Sequence, residues 1–299
     1  MAAGAAYPLL RVGCMRIVSL LPSATEILFA IGAGPDVVGV TFECDFPEQA
    51  RQATVVSTSA MPEGLTPAQI DAYVVGAMQR GEDLYHLNAG ALADLDADLV
   101  VTQDLCAVCA VDVSVVEDAL THLGCRAEVL TIDPHTLEDV FDSIAGLGAA
   151  TGHAEEAAAL VSDQRERLAT VQRRVAEALT VRSRPKVMVL EWTDPPYAPG
   201  HWIPEMVEVA GGVAVLGRTG DKSVRVEWET VNAADPDVII VAPCGLDRAQ
   251  SEVIKDELVA NGVLPVGIPV YAVDANASWA RPGTRLVDGI EELADLLHS

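Results

Sequence analysis

Residues 153–181 read HAEEAAALVSDQRERLATVQRRVAEALTV, a run of 29 residues with neither proline nor glycine. Ala, Glu, Gln, Arg and Leu dominate it, all favourable in helix interiors. Apolar side chains recur at Ala157, Leu160, Val161, Leu168, Val171, Val175 and Leu179, close to the spacing of one helical face. At the standard rise such a helix is about 43 Å long. That is too long for a small lobe and suits a spine between two. Arg182-Ser183-Arg184-Pro185 ends it.

Strands and helices alternate on both sides of this segment. Before it, Arg16–Leu20, Val37–Val40, Thr54–Ser57, Asp98–Thr102 and Glu128–Ile132 read as strands. Between them lie expected helices at Ala24–Ile31 (Ser23 as N-cap, Glu26 completing a capping box), Thr66–Arg80, Asn88–Leu95, Val113–Leu123 and Leu137–Ala150. After it the alternation restarts. Strands are expected at Lys186–Glu191, Val213–Leu216, Val238–Ala242 and Val270–Val273, and helices at Ile203–Ala210, Ser251–Ala260 and Arg285–Leu297. The pattern implies an α/β protein with parallel sheets flanked by helices. The chain divides into a tail (1–14), an N-terminal lobe (15–152), the spine helix (153–181) and a C-terminal lobe (185–299). Ligand sites in such sheets lie beyond the carboxyl ends of the strands.

Composition narrows the function. Of 299 residues, 50% are hydrophobic and 21% charged, so a large core can form, and the net charge is -25. An acidic surface repels nucleic acid and anionic lipid, and no apolar run approaches the roughly 20 residues of a membrane-spanning helix. Neither nucleic-acid binding nor membrane insertion is expected. Residues 1–14, MAAGAAYPLLRVGC, show no charged n-region ahead of an apolar stretch, which sets the expectation of a cytoplasmic protein. The chain has no GxGxxG, GxxxxGK[ST], GxSxG or HExxH motif, which lowers the case for an enzyme.

Ile17-Val18-Ser19-Leu20-Leu21-Pro22-Ser23-Ala24-Thr25-Glu26 resembles the opening of the periplasmic vitamin B12-binding proteins, part of the helical-spine (class III) group of substrate-binding proteins. The resemblance continues at Gly39-Val40, Cys44-Asp45-Phe46-Pro47, Ala97–Val101, Glu208–Gly212, Asp235–Ile240 and Arg281–Leu286, nearly the whole chain from Met15. It implies the two-lobed fold with a ligand cleft between the lobes, and a tetrapyrrole-like ligand such as cobalamin. Siderophore, haem and metal binders share that fold. Transporter-coupled members of the family carry one acidic docking residue on each lobe. Glu229 stands at one such position, whereas Gly90 stands at the other. That substitution makes transporter docking doubtful.

Two sets of residues invite weighing against plain packing roles. Phe46, Trp192, Trp202 and Trp279 fall in loops and could supply the broad apolar walls that a flat macrocycle needs. His201 and Arg281 lie beside them as polar contacts. Cys44, Cys106, Cys109 and Cys244 each follow an expected strand, and four thiolates could hold zinc or an iron–sulfur cluster. Unlinked thiols are the simpler reading. The leading expectation is non-catalytic, cytoplasmic binding of cobalamin or a related corrinoid. The alternatives are a metal or iron–sulfur protein built on the cysteines, and an ordinary transporter-coupled substrate-binding protein.

Overall fold

The computed structural model describes residues 15–80, 82–103 and 127–298. Contacts divide the chain into two compact units. The first takes residues up to Ala60, Glu82–Asp133 and Asp142–Leu160, and the second takes Met61–Gly81, Pro134–Phe141 and Val161–Ser299. Two segments that precede the long helix in sequence thus pack with residues that follow it.

The first unit holds β1 (Ile17–Ser19), β2 (Val37–Val40), β3 (Thr54–Val55), β4 (Ser57–Ser59), β5 (Tyr85–Leu87), β6 (Leu99–Thr102) and β7 (Glu128–Thr131). Five of them form a sheet in the order β3-β2-β1-β6-β7, every pair parallel. β4 and β5 form a separate antiparallel pair. β1 and β6 are buried along their whole length, which is why they read as unbroken apolar runs. Helix Pro22–Ala30 buries Ile27 and Leu28 in this core.

That helix starts two residues earlier than the sequence suggested, and its N-cap is Leu21, without a side-chain cap. Proline occupies the first helical position, where its missing N–H costs nothing, and Ser23 and Glu26 fall inside the helix, both buried. Helix Pro67–Arg80 does carry the expected cap: Gln69 N donates to Thr66 Oγ1 at 3.4 Å and Thr66 N donates to Gln69 Oε1 at 2.9 Å.

The second unit holds β8 (Lys186–Leu190), β9 (Trp192–Thr193), β10 (Pro196–Ala198), β11 (Val213–Ala214), β12 (Val224–Arg225), β13 (Val238–Val241) and β14 (Val270–Ala272). Four form a parallel sheet in the order β11-β8-β13-β14, and β12-β10-β9 form a small antiparallel sheet. Met188, Leu190, Ile239 and Val241 make the centre of its core, with Leu258 and Leu264 against them. Helix Arg248–Ala260 starts three residues before the expected Ser251, because Asp247 and Gln250 close a capping box there.

The long helix runs Ala154–Ala178. Its residues to Leu160 belong to the first unit and those from Val161 to the second. Arg167 reaches Asp288 and Glu291 of the terminal helix Leu286–His298, and Arg174, about two turns on, reaches Asp295. The spacing of these arginines and acids along both helices holds the two in register. The expected helix Val113–Leu123 lies outside the described residues.

Candidate functional site

In each parallel sheet the chain reverses its direction of travel once. In the first, β1 lies between β2 and β6, and in the second, β8 lies between β11 and β13. The loops leaving the carboxyl ends of strands at such a reversal splay apart and leave room for a ligand. In the second unit these are the loops after Leu190 and after Val241, joined by a hydrogen bond from Cys244 N to Glu191 O at 2.9 Å.

The loop after β8 is organised around Glu191. Its carboxylate accepts from Gly200 N at 2.8 Å and from Ser223 Oγ. His201 N donates to Asp221 O at 2.6 Å and Gly220 N donates to His201 O at 2.9 Å, so segments 200–202 and 220–223 are fixed to one another. An alanine Cβ at Gly200 would stand 2.3 Å from Ser223 N, so only glycine permits that approach. His201 takes a left-handed backbone with φ of 50°, a conformation that costs energy for a non-glycine residue and is found preferentially at functional sites.

The sequence-predicted residues fall into three groups. Phe46, after β2, is 45% exposed. Trp192 is half-buried, and its Nε1 donates to Pro67 O at 3.3 Å and Asp194 O at 3.2 Å. His201 and Arg281 are half-buried in loops of the second unit. Trp202 and Trp279 are brought together, but inside that unit: they are 5% and 0% exposed, and Trp202 Nε1 donates to Trp279 O at 2.8 Å.

Of the four cysteines, Cys106 and Cys109 lie outside the described residues. Cys44 is buried, 3.1 Å from Thr25 Oγ1 and 3.2 Å from Thr41 Oγ1. Cys244 is exposed. Among the described residues no set of three or more His, Cys, Asp or Glu is arranged to hold a metal ion. Nothing here supports the zinc or iron–sulfur expectation. Cys44 instead sits among hydroxyls that suit a buried thiol.

Further contacts were not assigned from the sequence. Phe42, 42% exposed, packs on Tyr85 with ring centroids 6.0 Å apart, and Tyr85 OH donates to Glu43 Oε2 at 3.2 Å. Tyr197 OH donates to Asp71 Oδ1 at 3.0 Å. Burial, with the Asp71 bond added, pushes the Tyr197 phenol above its usual range. His135 lies against His201. Each depends on a pairing across many residues, which no local pattern announces.

The sequence profile of the periplasmic binding protein family matches residues 17–262. The chain belongs to that family. A cobalamin-binding protein of Halobacterium salinarum is 27% identical over 293 residues, covering 95% of this chain and 69% of the relative. An uncharacterized ABC transporter substrate-binding lipoprotein of Bacillus subtilis is 27% identical over 290 residues, covering 95% of this chain and 80% of the relative. The solved periplasmic vitamin B12 binding protein of Vibrio cholerae superimposes with a TM-score of 0.64 at 22% identity, covering 94% of this chain and 96% of that one. The two-lobed α/β fold expected from the long helix is the fold of this family.

These relatives overturn the cytoplasmic location expected from residues 1–14. They are a lipoprotein and a periplasmic protein, and a likeness running the length of the chain outweighs the reading of fourteen terminal residues. The doubt about transporter docking fares no better, since the Bacillus relative is named as a transporter's substrate-binding protein. The transporter-coupled alternative accords with them better than a stand-alone cytoplasmic binder. Glu229 is exposed in the first turn of helix Trp228–Ala233, and Gly90 is exposed in helix Ala89–Asp94.

Proposed function

We infer that this protein captures cobalamin or a closely related tetrapyrrole outside the cytoplasm and presents it to an ABC transporter, without changing it chemically. The observation that carries the reading is the likeness to the cobalamin-binding relative along 95% of the chain. Aromatic rings at the carboxyl-end loops support it. Phe42 and Phe46 in the first unit keep 42% and 45% of their surface exposed, which suits a flat apolar ligand face. In the second unit Trp192, His201 and Arg281 are the contacts we assign to the ligand, with Trp202 and Trp279 holding the loops from beneath. Charge favours a corrinoid over haem: a chain at -25 repels a dicarboxylate more than a ring dressed with neutral amides.

Titration with cyanocobalamin, followed by calorimetry and by the corrin absorption bands, tests this. One corrinoid should bind per chain, with haem and cobinamide run as competitors. Phe46→Ala should weaken binding by about 1–2 kcal/mol, a roughly 5- to 30-fold rise in Kd. No corrinoid binding up to about 1 mM would remove the proposal, and tight binding of haem alone would replace it.

A further inference from the structure

His135 was given no role by the sequence. It sits in the turn before helix Leu137–Thr151, in a segment that packs with the second unit. There its ring meets that of His201, with centroids 5.7 Å apart and planes at 48°. Trp202 flanks His201 on another side at 5.6 Å.

We propose that His135 and His201 together bind a divalent transition-metal ion of the zinc, nickel or copper class. Three observations lead there. The first is spacing: with each nitrogen about 2.0–2.1 Å from such an ion, two coordinating imidazoles have centroids roughly 5–6 Å apart. The second is the partner of the ring. His135 Nδ1 lies 3.3 Å from Gly220 O. An Nδ1–H donated to a backbone carbonyl leaves Nε2 with its lone pair, the arrangement that orients most metal-binding histidines. Gly220 is also the residue whose N–H holds His201 O at 2.9 Å, so one short loop positions both rings.

The third is the construction of the support. Glu191 anchors both flanking segments, Gly200 excludes any side chain, and His201 is held at a φ of 50°. This backbone constraint fixes where the His201 imidazole stands. Nearby carboxylates add a favourable field for a cation. Asp139 accepts from His135 N at 3.0 Å and Glu205 from Leu137 N at 2.9 Å, whereas Asp221 beside the loop is paired with Arg218 at 3.9 Å. No third His, Cys, Asp or Glu among the described residues completes the set, so the remaining coordination positions would go to water or to a solute. The proposal does not rest on the corrinoid reading, and its test contains no tetrapyrrole.

The test is calorimetric titration of the intact, thiol-alkylated protein with zinc chloride, then copper(II) electron paramagnetic resonance of the same material. One zinc ion should bind per chain. His135→Gln and His201→Asn should each weaken it at least about tenfold, asparagine being chosen because it tolerates the left-handed backbone. The copper spectrum of the unmutated protein should show splitting from two imidazole nitrogens, which keeps the proposal testable if a variant misfolds. No zinc binding up to about 1 mM, binding that survives both substitutions, or a copper spectrum without imidazole nitrogen would each overturn it. Binding seen only before alkylation would assign the metal to thiols and overturn it as well.

Discussion

Replacing Gly200 with alanine should unsettle the loop that carries His201. A Cβ built there lies 2.3 Å from Ser223 N, 2.6 Å from Lys222 C and 2.7 Å from Asp221 O. All three are backbone atoms, so no side chain can rotate away. The opposing segment is itself held by the Ser223–Glu191 bond and by His201 N to Asp221 O. Relief therefore requires moving a tethered strand of chain by most of an ångström. Overpacking of this kind costs about 1–3 kcal/mol, and at about 2–4 °C per kcal/mol a cost near 2 kcal/mol lowers Tm by about 4–8 °C. The control is Gly146→Ala in helix Leu137–Thr151, where a Cβ meets nothing within 4 Å. Alanine there should stabilise by about 0.5–1 kcal/mol, because glycine is a poor helix residue. Calorimetric melting of both variants against the parent measures the contrast. If Gly200→Ala melts with or above the parent, the packing described for this loop is wrong.

Trp279→Ala should destabilise by about 3–5 kcal/mol, since the side chain is fully buried. Trp279→Phe should cost far less, because the lost indole Nε1 is buried without a partner among the described residues. Chemical denaturation compares the two. Gly90→Glu should raise stability by about 0.5–1 kcal/mol, as it replaces glycine in the first turn of a helix and adds a favourable charge, and its Cβ would meet only Asn88 Oδ1 at 3.6 Å. If docking uses that position, the same variant should strengthen association with the transporter. Burial alone would raise the Asp139 carboxyl, but bonds from His135 N and from the hydroxyl and N–H of Thr136 hold it below the usual range. A depressed folded-state pKa gives stability above the unfolded pKa of about 3.9 that disappears as pH falls. Asp139→Asn should therefore be less stable than the parent at pH 7, and the gap should close on acidification. A gap unchanged at low pH would refute that.

The parallel sheets were legible because their central strands are buried on both faces. Met188–Leu190 and Leu99–Val101 are apolar throughout, as strands buried on both faces read. The antiparallel β9–β10 pair was not legible. It is five residues of strand within a loop full of Trp, Pro and Tyr, and its turn contains a cis Asp194–Pro195 peptide. The sequence named Phe46, Trp192, Trp202 and Trp279 as candidates, but not how far each is buried. Trp202 and Trp279 read as loop residues that could wall a ligand, and their burial at 5% and 0% exposure, with Trp202 Nε1 donating to Trp279 O, was not legible in any local pattern.

By itself the sequence pointed to alternating α/β elements and the long helix, which are properties of hydrophobic period and local propensity, and separately, through its motifs, to the family resemblance. It also determined the acidic charge. Only the tertiary structure decided that Met61–Gly81 and Pro134–Phe141 pack with the second unit, and with that, that His135 meets His201 and Asp71 meets Tyr197. These partners are 66 and 126 residues apart in sequence. Chain separation of that size leaves no periodic trace. Such contacts are set by hydrogen bonding and packing between segments brought together only in three dimensions.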